Sequence, residues 1–378
     1  MRRVFGKTNM SLPAIIFCEA ESATQRVAGL CVLDRLLVAA HRANASKITV
    51  VSTTPLPKLK RAPALGITFQ ITAQPPQINA STLVLSTGAL VQANDLKRVI
   101  EQRGRLVQSD GTPLPVGVLD SISADPLDAQ LAKLPTLTAT GVAALISDST
   151  SAAHATRRLW TSLTSAADGL VDKYFNRPLG RALFSKWLIY TPISPNQVSV
   201  AATLIGLLSA ACFAIGDANA AIWGAVLLQL SAMVDCVDGD LARVLFKESP
   251  LGKWLDIAGD QVVHIGVFVC IGVGLYRAGS AAPVLPLAAS AAIGVVISFI
   301  IVMRGLIRPE SQRNSRLQKL IDATTNRDFS VLLLILAFVG KLEWFLWLTA
   351  IGVHVFWVLA LSLQWSSAPA VRTDKSLS

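Results

Sequence analysis

Six apolar stretches occupy the second half of this 378-residue chain, and each is close to the length needed to cross a lipid bilayer. A membrane-spanning helix needs about 20 predominantly apolar residues, because the bilayer core offers no water to bond the backbone. The stretches lie at about 197–216, 219–240, 255–276, 281–303, 329–343 and 345–365. We therefore predict an all-α six-helix transmembrane domain at 195–378.

The composition agrees with a chain that lies partly in a membrane. Hydrophobic residues make up 52% of the sequence, and the mean hydropathy is +0.52, which is too apolar for one ordinary soluble domain. The net charge of +10 comes from Lys and Arg that flank the apolar stretches without interleaved aromatic residues. This pattern indicates a membrane surface as partner and argues against nucleic acid.

Basic residues also predict the orientation in the membrane. Linkers with several Lys or Arg, at 247–253, 304–327 and 372–375, alternate with linkers that hold few. Because basic residues concentrate on the cytoplasmic side, an even number of spans with both termini in the cytoplasm satisfies the pattern. We expect a multi-pass protein of the inner (cytoplasmic) membrane, with the turn between the second and third spans on the cytoplasmic side.

Four carboxylates interrupt the second and third apolar stretches, in the sequence DCVDGDLARVLFKESPLGKWLDIAGD. Asp235 and Asp238 are three residues apart, and Asp256 and Asp260 are four apart. If both flanks are helical, each pair lies on one face of its helix. Pro250 marks the turn between the helices, so the sequence predicts a hairpin on which the two pairs face each other.

Ionisable groups within membrane spans cost several kcal/mol unless they are paired, hydrated or metal-bound, so four together indicate a functional site. Some of these acids can instead pair with Arg243, Lys247 or Lys253. Oxygen ligands favour magnesium or manganese over zinc, and four converging carboxylates can hold two such ions. Two hard cations suit a diphosphate and phosphoryl-type transfer. Gly239 and Gly252 would allow a ligand or backbone to approach closely.

The spacing resembles the signature of the CDP-alcohol phosphotransferases, DxxDGxxARx(8)Gx(3)Dx(3)D, whose eight fixed residues all occur between Asp235 and Asp260. The likeness extends to TPISPNQVS before the first span and covers about 166–365. It implies an integral membrane enzyme that transfers a phosphoalcohol group from a CDP-linked donor to an alcohol acceptor and releases CMP. The donor would be CDP-diacylglycerol or a CDP-polyol, in phospholipid or polyol-phosphodiester synthesis.

The resemblance also implies roles for the motif residues, by position. Asp235, Asp238, Asp256 and Asp260 would be the metal ligands. Together they would hold two ions of Mg²⁺ or Mn²⁺. Asp256 and Asp260 would be catalytic, with Asp260 as a ligand or as the general base that deprotonates the acceptor. The nucleotide and phosphates would contact Gly239, Ala242, Arg243 and Gly252.

Neighbouring polar residues have structural interpretations. We expect Asp240, outside the fixed pattern, to be solvated and His264 to be packed or pore-lining. Asn196 would either cap the first span, the interpretation we favour, or contact the nucleotide. For a polyol-phosphate acceptor, an anion pocket would need cations, and the candidates are Arg304, Arg308, Arg313, Arg316 and Arg327. Positive charge on the cytoplasmic side explains most of these arginines equally well. Resemblance to the family makes a homodimer possible.

The first part of the chain alternates short β-rich runs with amphipathic helical ones between residues 12 and 120, which predicts an α/β domain with a mostly parallel sheet at 1–150. Residues 151–194 read as a linker followed by a basic amphipathic helix at the membrane interface. The α/β pattern resembles the sugar-phosphate nucleotidyltransferases. A fusion of the two domains is similar to the bifunctional inositol-phosphate cytidylyltransferase and di-inositol-phosphate-phosphate synthase proteins.

That nucleotidyltransferase-like domain departs from its family where the chemistry would occur. Residues 20–27 read AESATQRV, without the glycines whose N–H groups cradle phosphates. Ser86 to Gly88 occupy the position of the expected metal-binding aspartate. We therefore expect a degenerate, catalytically dead domain.

Two other classes of function remain as alternatives. An ion-coupled transporter would use the intramembrane acids as an ion path, but such acids are expected at several depths, whereas these cluster around one turn. A non-catalytic membrane scaffold would have lost its site, and the complete motif argues against it.

Overall fold

A computed structural model of the protein describes residues 11–78, 80–123, 125–164, 168–307 and 329–365, with side chains described up to Arg304 in the fourth range. The chain forms two compact units. Unit 1 comprises residues 1–163 and Val244–Phe246, and unit 2 comprises Thr164–Arg243 and Lys247–Ser378. Unit 1 thus extends to Leu163, beyond the predicted boundary at 150.

Unit 1 is built on a seven-stranded sheet with the strand order β10-β8-β9-β6-β1-β4-β5. All neighbouring strands are parallel except β9, which is antiparallel to β6 and β8, so the predicted mostly parallel α/β sheet is confirmed. The strands are β1 Ala14–Phe17, β2 Arg26–Val27, β3 Leu30–Cys31, β4 Ile48–Val51, β5 Gln70–Thr72, β6 Thr82–Ser86, β7 Ala89–Leu90, β8 Arg105–Val107, β9 Pro113–Leu119, β10 Thr136–Thr138 and β11 Ala144–Leu145.

Amphipathic helices accompany the sheet. They are α1 Ala20–Thr24, α2 Val32–Arg42, α3 Arg61–Ala64, α4 Ala93–Gln102, α5 Leu127–Leu131 and α6 Ser149–Ser162. The small polar residues predicted as a linker form most of α6, which Asp148 begins by accepting the Ser151 N–H at 2.7 Å. This capping interaction stabilises a helix whose buried face consists of Ala152, Ala155, Leu159 and Trp160.

Two buried aspartates in unit 1 hold loops. Asp34 accepts the backbone N–H groups of Lys60, Arg61 and Ala62 at 2.7 to 2.8 Å. Asp95 accepts those of Thr140 and Gly141 at 2.8 and 2.9 Å. Hydrogen bonds from these N–H groups therefore replace the hydrogen bonds from water that each carboxylate lost on burial.

All secondary-structure elements in the described residues of unit 2 are helices. Its helices are α7 at 172–188, α8 Pro195–Ile215, α9 Ala218–Val244, α10 Pro250–Arg277, α11 Val284–Ile307, α12 Phe329–Phe338 and α13 Leu342–Trp365. Five of them, α8 to α11 and α13, are long and apolar enough to cross a membrane. The predicted fifth span corresponds to α12, which has 10 residues, so the expected count of six is approximate.

The start of α8 differs from the sequence prediction. Ser194, and not Asn196, is the cap, because its side chain accepts the Gln197 N–H while the Gln197 side chain accepts the Ser194 N–H at 2.8 Å. Asn196 lies inside the first turn. The sequence Ser-Pro-Asn-Gln carries the capping-box spacing, with Pro195 at the favoured first helical position.

Apolar side chains from α8 to α13 form the main core of unit 2. Val267 and Ile271 of α10 pack with Ala291 of α11, Leu333 of α12 and Leu346 of α13, all at most 1% exposed. The short helix α12 is therefore anchored in the same core as the long helices.

Candidate functional site

The structure brings together three of the four acids predicted as metal ligands. Asp235, Asp238 and Asp256 each offer a carboxylate oxygen, and the three oxygens lie within 4.8 Å of one another. Asp238 is buried, and the other two are half-buried. Within the described parts of the chain, Asp260 is outside this group. Oxygen atoms at such separations, supplied only by carboxylates, fit a hard divalent cation such as Mg²⁺ or Mn²⁺.

Local sequence at the hairpin explains how α10 approaches α8. Ser249 caps α10 by accepting the Gly252 N–H at 3.0 Å, and Pro250 fills the first helical position. A Cβ on Gly252 would lie 2.8 Å from Asn196 Oδ1, and one on Gly259 would lie 2.4 Å from Thr203 Oγ1. A side chain at either position would displace a side-chain atom of α8, so the two glycines allow α10 to lie close against α8.

Ser199 of α8 is a site residue that sequence reasoning missed. Its hydroxyl donates a short hydrogen bond to Asp238 Oδ2, and it also lies 3.2 Å from the Pro195 carbonyl oxygen. A carboxylate held in this way keeps a fixed orientation towards its neighbours. No local pattern in the sequence signals this contact, since the two residues are 39 positions apart.

A cavity of about 310 Å³ lies next to the acid group. All four residues predicted to bind the nucleotide or phosphates line it, together with Asp238 and Asp256. The four residues with a predicted nucleotide or phosphate contact are Gly239, Ala242, Arg243 and Gly252. Lys247, Lys253 and Glu248 also line it, so three cations and one further acid border the space beside the two acids of the cluster. This arrangement suits a polyanionic ligand bridged to the acids by metal ions.

Asp240 is buried, which contradicts the expectation that it is solvated. It is 1% exposed and pairs with Arg177 at 2.7 Å, Arg181 at 2.6 Å and Arg243 at 3.0 Å. Arg177 pairs in addition with Asp168 at 2.9 Å. The prediction was wrong because the arginines of α7 are distant in sequence. Asp240 thus joins α7 to α9 and holds Arg243, whose side chain is 42% exposed, at the cavity.

Asp260 lines a second cavity, of about 670 Å³, which is lined by residues of α10 to α13 and shares Asp256 with the first. His264 lies one turn further along α10 and also lines it. The His264 ring packs edge-on to Phe329, with ring centroids 5.2 Å apart, and stacks with Phe268. These contacts agree with the expectation of a packed or cavity-lining histidine.

The part of unit 1 where a nucleotidyltransferase would bind its substrate differs from the acid site of unit 2 in its hydrogen bonding. At the ends of β1 and β6, Ser86 donates to the Glu19 carboxylate, and the Ser22 and Thr87 hydroxyls lie 2.9 Å apart. The Glu19 N–H donates to Thr87 Oγ1 at 2.9 Å. Residues 20–24, where a phosphate-binding loop was sought, form helix α1. The polar groups here bond to one another.

The arginines considered for an acceptor anion pocket are mostly beyond what the structure covers. Arg304 is exposed at the end of α11 and does not line either cavity. Arg308, Arg313, Arg316 and Arg327 lie outside the described residues.

Comparison with protein families gives a match at residues 192–365 to the CDP-alcohol phosphatidyltransferases. Among curated proteins, the bifunctional IPC transferase and DIPP synthase of Aquifex aeolicus is 31% identical over 103 residues, which cover 27% of this chain and 23% of that protein. The putative cardiolipin synthase of Mycobacterium tuberculosis is 35% identical over 78 residues, 21% of this chain and 36% of that protein. The chain thus spans about a quarter to a third of the length of these relatives.

Among solved structures, the Mycobacterium tuberculosis phosphatidylinositol phosphate synthase with CDP-DAG bound aligns with a TM-score of 0.37 and 17% identity. The alignment covers 52% of this chain and 96% of that one. The family match confirms the resemblance predicted from the acid motif.

Proposed function

We propose that the chain, which carries a CDP-alcohol phosphatidyltransferase domain at residues 192–365, transfers a phosphoalcohol group from a CDP-linked donor to an alcohol and releases CMP. The observation that carries the proposal is the convergence of Asp235, Asp238 and Asp256 beside a cavity lined by Arg243, Lys247 and Lys253. In this reaction the acceptor oxygen bonds to the phosphorus that carries the alcohol. The bond from that phosphorus to the CMP phosphate oxygen breaks.

The residues around the smaller cavity would bind the donor diphosphate. Arg243 presents a forked guanidinium, and Asp240 limits its freedom through the 3.0 Å ion pair. Gly239 and Gly252 leave room for the nucleotide, and a side chain at Gly252 would meet Asn196. Fixed donors of this kind lower the barrier by orienting the diphosphate before reaction.

The acid group would hold the divalent ions, Mg²⁺ or Mn²⁺, and we propose two. Asp235, Asp238 and Asp256 supply hard oxygen donors, and Ser199 orients Asp238. Bound there, the ions would neutralise charge on the diphosphate and on the leaving CMP.

Asp260 is the proposed general base. It follows Asp256 by one helical turn on α10 and faces the larger cavity, so an acceptor hydroxyl in that cavity can transfer its proton to this carboxylate. Its place outside the three-acid group favours this role over that of a metal ligand.

The remaining assignments complete the proposal. The protein is a multi-pass membrane protein, and we propose the inner membrane, with both termini and the hairpin turn in the cytoplasm. Unit 1 is proposed to be a non-catalytic nucleotidyltransferase-like domain, supported by the mutual bonding of Glu19 and Ser86. A homodimer remains a prediction.

The experiment is a CMP-release assay. Purified full-length protein in detergent is given Mg²⁺, a panel of CDP-alcohols that includes CDP-diacylglycerol and CDP-inositol, and alcohol acceptors. We expect CMP release that needs both substrates. Asp256→Asn should reduce the rate of CMP release at least ~100-fold. Residues that only orient a metal ligand usually cost about 10- to 100-fold, and a ligand itself should cost more.

Asp217→Asn is the matched control, because Asp217 lies just before α9 and the one side-chain contact described for it is the Ala220 N–H that its carboxylate accepts at 2.8 Å. It should retain normal activity. Equal CMP release by wild type and Asp256→Asn would contradict the assigned site, and ion flux in vesicles that requires these acids would favour the transporter.

A further inference from the structure

The larger cavity has a wall chemistry that differs from that of the nucleotide cavity. Its charged lining residues, among those the structure describes, are Asp256 and Asp260, and none is Lys or Arg. Five phenylalanines, six aliphatic side chains and one methionine form most of the wall. A phosphorylated polyol would meet the Asp260 carboxylate and hydrocarbon there, with no Lys or Arg among the described lining residues, which is unfavourable for an anion.

The cavity also extends far along α10. Its lining residues run from Asp256 to Phe268, which at 1.5 Å per residue corresponds to about 18 Å of helix. Its volume of about 670 Å³ is in the range of sites that enclose a whole small-molecule ligand. The space is therefore large enough for more than a hydroxyl group beside Asp260.

The two cavities lie along α10 in the order needed for displacement at phosphorus. Gly252 and Lys253 line the nucleotide cavity, Asp256 lines both, and Asp260 and His264 line the larger one. Attacking and leaving oxygens are roughly in line on opposite sides of the phosphorus. With CMP leaving into the first cavity, the acceptor has to approach from the second.

A buried hydroxyl in the wall provides independent evidence for a ligand. Ser298 of α11 lines the cavity and is 8% exposed. Its Oγ has no hydrogen-bond partner among the described residues. A buried hydroxyl without a partner costs about 1–3 kcal/mol, so a polar atom of a bound molecule would relieve that cost.

We propose that the larger cavity is the acceptor subsite and that it takes a lipid alcohol. The hydroxyl lies at Asp260, the hydrocarbon chain fills the part lined by phenylalanines, and Ser298 bonds a polar group of the same molecule. This assignment rests on the proposed function and selects a membrane-derived acceptor over a water-soluble polyol phosphate. The acceptor proton passes to Asp260 as the new bond to phosphorus forms.

The test uses a photoactivatable hexadecanol, with a diazirine on its chain, and the full-length protein in detergent. We expect labelled peptides from the cavity-lining parts of α11 and α13. Gly352 lines the cavity, and a Cβ added there meets no atom within 4 Å, so Gly352→Leu should fold and fill the space. We expect it to reduce this labelling at least tenfold.

Ile351→Phe is the matched control, because Ile351 is exposed on the same helix and does not line the cavity. It should label like wild type. Labelling confined to exposed helix faces, or equal in Gly352→Leu and wild type, would overturn the proposal.

Two competition experiments distinguish which molecule occupies the larger cavity. Labelling should persist with saturating CDP-diacylglycerol and Mg²⁺, and loss of label would mean that the donor's acyl chain occupies the cavity. It should also persist with millimolar inositol phosphate, and loss there would assign the cavity to a polyol phosphate. Labelling requires no turnover, so a protein that labels as expected but releases no CMP would contradict the proposed function alone.

Discussion

The buried carboxylates of unit 1 and those of the acid cluster in unit 2 differ in what surrounds them. Asp34 and Asp95 accept backbone N–H groups from the loops they hold. Asp235, Asp238 and Asp256 instead direct oxygens towards one another within 4.8 Å. Carboxylates with fixed backbone donors stabilise a fold, whereas carboxylates that converge repel one another unless a cation lies between them. The contrast separates structural acids from candidate functional ones.

The two candidate catalytic regions differ in the same way. In unit 1, Glu19 is bonded by Ser86, and residues 20–24 form a helix, so the groups that would meet a nucleotide are already engaged. In unit 2, glycines and cations line an open cavity beside the acids. We propose that the membrane domain carries the chemistry and that unit 1 is non-catalytic.

Asp240 provides the largest expected effect, because it is a unit 2 acid that is satisfied by protein cations. Asp240→Asn would leave Arg177 and Arg181 buried beside a neutral amide, and we expect a loss of about 3–5 kcal/mol in the free energy of unfolding. Denaturant unfolding in detergent measures it. A change below about 1 kcal/mol would show that the ion pairs contribute little to the stability of unit 2.

Ser199→Ala should have the next largest effect, on activity. Removing the hydroxyl frees Asp238 to rotate, and losses behind a metal ligand are typically about 10- to 100-fold in metal affinity or activity. The readouts are kcat/KM for CMP release and its Mg²⁺ dependence. Ser209→Ala is the control on the same helix, since Ser209 bonds only the Gly224 carbonyl in the contacts described for it. Equal kcat/KM in both variants would exclude a positioning role for Ser199.

Asp34→Asn should reduce stability and leave the chemistry unchanged. The amide keeps an acceptor oxygen but loses the charge that strengthens three N–H bonds, so we expect a loss of about 1–3 kcal/mol in unit 1. Hydrogen exchange at residues 60–62 would report the loosened loop. A lower kcat for CMP release by the folded variant would contradict the division of acids into structural and functional groups.

Glu19→Gln should have the smallest effect. If unit 1 is non-catalytic, the variant and the wild type release CMP at the same rate, and neither forms pyrophosphate from CTP with sugar or inositol phosphates. Pyrophosphate formation by wild type that Glu19→Gln abolishes would show that unit 1 has retained its activity.

The features visible in the sequence are those set by local spacing. The acid motif predicted the three-acid cluster, and the alternation of β-rich and amphipathic runs predicted the mostly parallel α/β sheet. Side-chain contacts between distant helices were not visible. Ser199 is 39 residues from Asp238, and Arg177 is 63 from Asp240, so neither contact leaves a periodic signal.

Two helix starts that the sequence analysis did not identify do carry a local signature in the sequence. The Ser194 to Gln197 capping box is a local signature, and it identifies the helix start better than Asn196 does. Asp148 with Ser151 similarly marks the start of α6. By contrast, the larger cavity depends on the joint packing of α10 to α13, which spacing along one helix cannot define.

A Mn²⁺ titration of the purified full-length protein, followed by electron paramagnetic resonance, tests the central claim most directly. The three-acid cluster predicts saturable Mn²⁺ binding, competed by Mg²⁺, that is lost in Asp235→Asn, Asp238→Asn and Asp256→Asn and retained in Asp217→Asn and Asp34→Asn. Mn²⁺ binding of undiminished affinity in the three cluster variants would contradict a metal site at these carboxylates.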